Sequence, residues 1–229
     1  MQKQELVDTL ERQLRAVKAE RQAARREPAL LAARTALKRF QAARLARTHA
    51  NLLDAPDTHD AALFFLEELY AAHDLSQRDI DLERIIPTMQ RLLSYEALRT
   101  ITNAIVLDAL SERLDTAMAR ALGPEFSAAD YVRVYRTVTA QDERARQLDL
   151  VQELGESLCG LVKIPLLSVT LSVMRTPARL AGLGDLQQFL ERGFNTFKKM
   201  KRPMDFVATI VERERAVSAA IYADAAYVF

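Results

Sequence analysis

The chain has one cysteine, no tryptophan, three histidines, and only six glycines and seven prolines in 229 residues. A single cysteine excludes an internal disulfide framework and fits a reducing compartment. So few glycines and prolines leave little material for hairpin turns, which moves the expected fold towards helix. His49, His59 and His73 form neither the Glu-x-x-His nor the His-Glu-x-x-His spacing that puts two ligands on one helix face, so no metal is expected. A membrane span wants about 20 mostly apolar residues. The longest apolar run, residues 158–174, is interrupted by Lys163, Pro165, Ser168, Thr170 and Ser172. We read it as buried interior. The first five residues are polar and hold no apolar signal core, so a cytoplasmic chain is expected.

What is present is charge, and it is unevenly spread. Residues 1–48 hold twelve Lys/Arg against five Asp/Glu, a balance of +7. Residues 51–130 hold six against fifteen, −9, and the remainder fourteen against eleven, +3. A basic arm followed by an acidic middle points to internal neutralisation or self-association before it points to nucleic acid.

Helical signals fill the chain. Leu6, Val7, Leu10, Leu14 and Val17 make a short heptad-type stripe, and Pro28 ends that helix or starts the next, which reaches about residue 53. A helix at 58–72 follows. Ser76 with Asp79 reads as a capping box for the next, which carries Pro87 inside it. Ser94 caps a helix that Gly123-Pro124 stops, and Ser127 with Asp130 caps one long helix to about residue 162. The middle of that helix, 141–146, is wholly polar and is expected to cross solvent. At 167–173 apolar and hydroxyl residues alternate as in a strand, but no partner strand is in sight, so we read a buried helix with Pro165 in its first turn. Leu186, Phe189, Leu190, Phe194, Phe197 and Met200 form the cleanest stripe, and Pro203 starts the last helix. The tail to Phe229 is apolar and should dock. The expectation is an all-α, multi-helix bundle of about eight to ten helices, some proline-kinked, without a sheet. It forms one domain over 1–229, with 1–53 as a basic hairpin or arm.

No catalytic or cofactor motif appears. Gly182-x-Gly184 follows no strand, lacks a third glycine, and reads as a helix terminus. Cys159, between Leu158 and Gly160, reads as a small buried hydrophobe. Asp108 sits in an apolar run, so a buried Asp108 or Asn103 would need a partner such as Arg84 or Arg99. Gly193 lies on the phenylalanine stripe at a cost of about 1 kcal/mol relative to Ala, which suggests that another helix or a ligand approaches the backbone there. Glu67, Glu68 and Tyr70, with Asp108 and Gly193, are the candidate pocket or structural polar site. Lys198, Lys199, Lys201 and Arg202 are a candidate patch for an acidic partner, although cations at a helix C-terminus also complement its dipole.

Residues 64–70 read FFLEELY, followed by Asp74, Ser76, Arg78-Asp79 and Ile85-Ile86-Pro87. This resembles a family of bacterial proteins named after their FFLEELY motif, over about 44–110 and again over 179–187. The resemblance implies no activity, cofactor or catalytic residue.

Three functional readings remain. The first is a non-enzymatic protein-interaction or scaffold module that self-associates, resting on the segregated charge, the heptad stripe and the aromatic tail. The second is a helical pocket protein or enzyme for an apolar small molecule. The third is nucleic-acid binding by the Arg-rich arm. The first is preferred.

Overall fold

A run of leucines and a valine, spaced at fours and threes, decides where the first helix lies. Leu6, Leu10, Leu14 and Val17 are sealed from solvent where α1 (Lys3–Arg26) packs along α6 (Tyr95–Leu122) and α5 (Ser76–Leu92). Burying each such side chain is worth about 1.5–3 kcal/mol. The computed structural model describes residues 3–69 and 76–224, and among these it contains no strand. The chain is an all-α bundle. Its remaining helices are α2 (Pro28–Thr48), α3 (Ala50–Asp54), α4 (His59–Phe64), α7 (Ala128–Val138), α8 (Gln141–Leu161), α9 (Leu167–Val173), α10 (Arg175–Leu180), α11 (Gly184–Lys199) and α12 (Pro203–Tyr222). The long α6 is the centre, flanked by α1, α2, α7 and α8, while α12 lies along α8. The α11 helix joins α4, α5, α9 and α10.

Local signals account for the boundaries. Ser94 Oγ accepts from the Ala97 N–H at 3.2 Å and starts α6. Gly123, at a φ of 69°, ends it where an L side chain would be strained. At α7 the capping box is complete: Ser127 Oγ accepts from the Asp130 N–H, and Asp130 accepts from the Ser127 N–H.

Several expectations are corrected. The single helix at 127–162 is two, because Thr139 and Ala140 take extended backbone. Thr139 Oγ1 donates back to the Tyr135 carbonyl at 2.6 Å, and the break turns Arg144 inward, over the Tyr135 ring at 4.3 Å. The polar middle therefore does not simply cross solvent: Arg144 is buried. The described part of the helix expected at 58–72 passes from α4 into a π-helical turn, Phe65–Leu69. The segment at 167–173 is a helix, as expected, but it buries none of its residues, and Pro165 lies before it, in the turn. Of the run at 158–174 only Cys159 is buried, so most of it is not interior. The Ser76 side chain, half of the capping box expected with Asp79, lies outside the described residues; the Asp79 carboxylate is buried against Arg21. Tyr70, His73, Asp74 and the tail at 225–229 lie outside the described residues, as does the Glu68 side chain.

One close approach fixes the α8–α12 crossing. A Cβ placed on Gly155 would stand 2.6 Å from Val207 Cγ1, so only glycine lets these two helices meet at this depth.

Candidate functional site

The aromatic pair of the FFLEELY stretch is locked between α11 and α12. Phe64 stacks on Phe189 with centroids 5.5 Å apart, and Phe65 meets Phe197 and Phe206, each at 5.9 Å. The space beside Gly193 is taken by Phe64: a Cβ there would stand 2.9 Å from Phe64 Cζ. Arg192 sits over the Phe64 ring at 5.8 Å and pairs with Glu67. Arg78 sits over Phe189 at 5.0 Å and reaches Asp108 at 3.6 Å. Glu67, Gly193 and Asp108 thus lie along one continuous belt of rings and guanidinium groups. The belt is held by cation–π and ring contacts.

Asp108 also belongs to a second assembly, where the basic arm meets the acidic middle. Arg21 Nη2 lies 2.9 Å from both Asp108 oxygens and 3.4 Å from Glu112 Oε1, while its Nη1 pairs with Asp79. Arg34 pairs with Glu112 and donates to Thr116 Oγ1 at 3.2 Å. Lys38 reaches Glu112 at 3.0 Å, and Gln41 donates to Asp115 at 3.0 Å. The partners expected for Asp108, Arg84 and Arg99, are elsewhere. Arg84 donates to the Ala181 carbonyl and Arg99 pairs with Glu96, while Asn103 donates to Glu153. Burial pushes Asp79 up despite Arg21, and pushes the Lys38 ammonium down.

The sequence holds a signal for this cluster that the heptad stripe alone does not convey. Leu10, Leu14, Val17, Arg21 and Ala24 continue one alternating four-and-three stripe, with Arg21 on it. The same spacing runs through Leu30, Arg34, Leu37, Gln41 and Arg44 on α2, and through Thr102, Ile105, Ala109, Glu112 and Thr116 on α6. A charge on a buried stripe must find an opposite charge on the facing stripe.

The two described histidines are structural in their contacts. His49 Nε2 lies 3.0 Å from Glu214 Oε1, beside Arg44, and His59 Nδ1 contacts the Leu53 carbonyl. Burial alone would raise the Glu214 carboxyl, but His49 and Arg44 hold it below the usual range. Cys159 is buried and free, and burial pushes its thiol up, away from the reactive thiolate. Among the described residues no three His, Cys, Asp or Glu side chains gather as a metal site. A groove of about 290 Å³ between α8 and α12, lined by Gln152, Val211 and Arg215, stands at the lower end of ligand-site volumes.

The surface feature that stands out is apolar. Seven of the twelve exposed large apolar side chains among the described residues fall within 164–190, including Leu166 (72 % exposed), Val173 (67 %) and Leu180 (85 %). The α9 helix has two apolar stripes. Leu167 and Leu171 are half-buried on the side of α11, while Leu166, Val169 and Val173 face away. Lys198, from the candidate acidic-partner patch, donates to Ser168 Oγ at 3.2 Å and so borders this face. Lys199 pairs with Asp60, the Lys201 N–H is taken by Asp57, and Arg202 lies 3.9 Å from Asp205. No helix among the described residues is long and apolar enough to cross a membrane.

A family model described as a domain of unknown function, DUF8198, matches residues 20–227. The chain belongs to that family. The match takes in the ion cluster, the aromatic belt and the apolar face, and leaves out most of α1. No curated protein matches the chain, and no solved structure does.

Proposed function

We propose that this member of the DUF8198 family works by contact rather than by chemistry, as a non-enzymatic helical docking or scaffold module. Its contact surface is the α9–α10 face, and its partner is acidic. The observation that carries the reading is the concentration of exposed apolar side chains at 164–190, most of them on the sides of α9 and α10 turned away from α11. Patches of this kind mark interaction sites. The cations around it, Lys163, Arg175, Arg179 and Lys198, select for negative charge.

The other readings have less support. The cations of the arm that a nucleic acid would need include Arg21, Arg34, Lys38 and Arg44, all engaged in ion pairs within the chain. A small-molecule pocket at Gly193 meets the Phe64 ring instead of open space. Self-association does not draw on the heptad stripe of α1, which is spent on α5 and α6. A homo-oligomer would set the α9–α10 face against a different, acidic surface of the next copy, a heterologous contact. The proposal keeps the chain in the cytoplasm and among the bacterial FFLEELY-motif proteins.

Amide hydrogen exchange tests this reading. Protection confined to residues 164–180 is expected as protein concentration rises or when an anionic amphipathic surface is offered. Exchange there that neither condition slows would sink it.

A further inference from the structure

The α9–α10 face specifies the chemistry of its acidic partner, provided that it is the docking surface proposed above. Residues 157–184 contain no aspartate or glutamate, in a chain with 31 of them, whereas Lys163, Arg175 and Arg179 lie inside that window. Cationic and apolar side chains alternate along it. Lys163 precedes Ile164 and Leu166, Arg175 follows Val173 and Met174, and Arg179 precedes Leu180, all of them exposed. Leu166 takes a left-handed φ of 67°, uncommon for a residue with a Cβ, and holds its side chain out at the head of α9. Arg175 is steadied by Glu191 on α11, and Lys198 adds a fourth cation beside Ser168.

We propose that this face docks on an anionic lipid bilayer surface. Leu166, Val169, Val173 and Leu180 enter the interfacial region, and Lys163 and Arg179 lie against lipid phosphates, while Arg175 stays paired with Glu191. A bilayer offers, in one plane, the apolar phase that the leucines and valines lack and the negative layer that the basic rim matches. A second copy placed face to face would do neither well: two-fold pairing sets each cation near its own equivalent across the interface. The depth required is small, because α9 is two turns lying on the outside of the fold rather than a helix that crosses. The four side chains that would enter the bilayer are themselves exposed, so they contribute little to the packing of the fold.

Co-sedimentation of the full chain with vesicles tests the assignment, using phosphatidylcholine with phosphatidylglycerol against phosphatidylcholine alone. The chain is expected to bind the mixed vesicles, less so with added salt, and to leave the neutral ones in solution. Lys163→Glu and Arg179→Glu should each weaken binding by about fivefold or more, the worth of one cation at such a surface. Val169→Asp with Val173→Asp should weaken it at least as far, with the helical circular dichroism unchanged. No sedimentation with the mixed vesicles at low salt overturns the lipid assignment, and so does binding that the paired aspartates leave intact. If lipid binding is absent but the same aspartates abolish a multimer seen by native mass spectrometry, the contact reading stands and the lipid one falls. If they change neither lipid binding nor mass, both fall.

Discussion

A single nitrogen of Arg21, Nη2 on α1, lies 2.9 Å from both carboxylate oxygens of Asp108 on α6. The same guanidinium pairs with Asp79 on α5 and reaches Glu112, so one side chain ties three helices at a site from which solvent is nearly excluded. Removing it would strand buried carboxylates, which typically costs 3–5 kcal/mol. Arg21→Ala is expected to lower the unfolding free energy by about that amount in urea denaturation. Arg21→Lys should recover only part, because an ammonium cannot fork between carboxylates. A wild-type midpoint for Arg21→Ala would refute the bridging role.

Acid titration should show two opposed slopes. The Ser127 hydroxyl and N–H, with Arg133, hold Asp130 at about 2 against an ordinary 3.8. A depressed folded value contributes stability that is present above the ordinary value and is lost as pH falls towards about 2. Burial raises Asp79, with Arg21 opposing. Its contribution runs the other way, greatest below the ordinary value and lost as pH rises through the raised one. Asp130→Asn should flatten the low-pH limb, and Asp79→Asn should remove the decline above about pH 4. Urea midpoints across the acid range would check both, and an unchanged slope in Asp79→Asn would contradict its assignment.

Gly155→Ala is expected to destabilise the fold by about 1–3 kcal/mol, because its methyl would overlap both γ-carbons of Val207 at the α8–α12 crossing. Adding Val207→Ala should restore part of the loss by opening that space. A thermal scan of the single and double variants decides it, and equal losses in both would argue against the contact.

Core and face should part company on stability. Phe197 is 1 % exposed and packs against Phe65 and Phe206, so Phe197→Ala should cost about 3–5 kcal/mol. Val169→Ser with Val173→Ser should stay within about 0.5 kcal/mol of wild type for each site, as exposed substitutions do. A large loss from the paired serines would mean that α9 supports the fold and is not a free docking face.

How far the sequence carries differs from residue to residue. Ser94, Ser127 with Asp130, and Gly123 announce their helix ends because capping is local: donor and acceptor lie within four residues. Leu10 and Leu14 announce a buried stripe because 3.6-residue periodicity is also local. Asp108 stands out as a polar group in an apolar run, but its partner does not, since Arg21 is 87 residues away in the chain. The stretch at 158–174 misleads most. Hydropathy reports what water disfavours, not whether the fold has an element left to cover it, and among the described residues none covers the side of α9 that carries Val169 and Val173.

The sequence by itself determined the all-helical class, most helix ends and which stripes are apolar, because propensity, capping and periodicity act over one or two turns. Tertiary structure alone decided which stripes meet. It folded the basic arm onto the acidic middle, filled the space at Gly193 with Phe64, and left the apolar side of α9 facing out, since packing pairs surfaces by shape and charge across distances in sequence that no local pattern records.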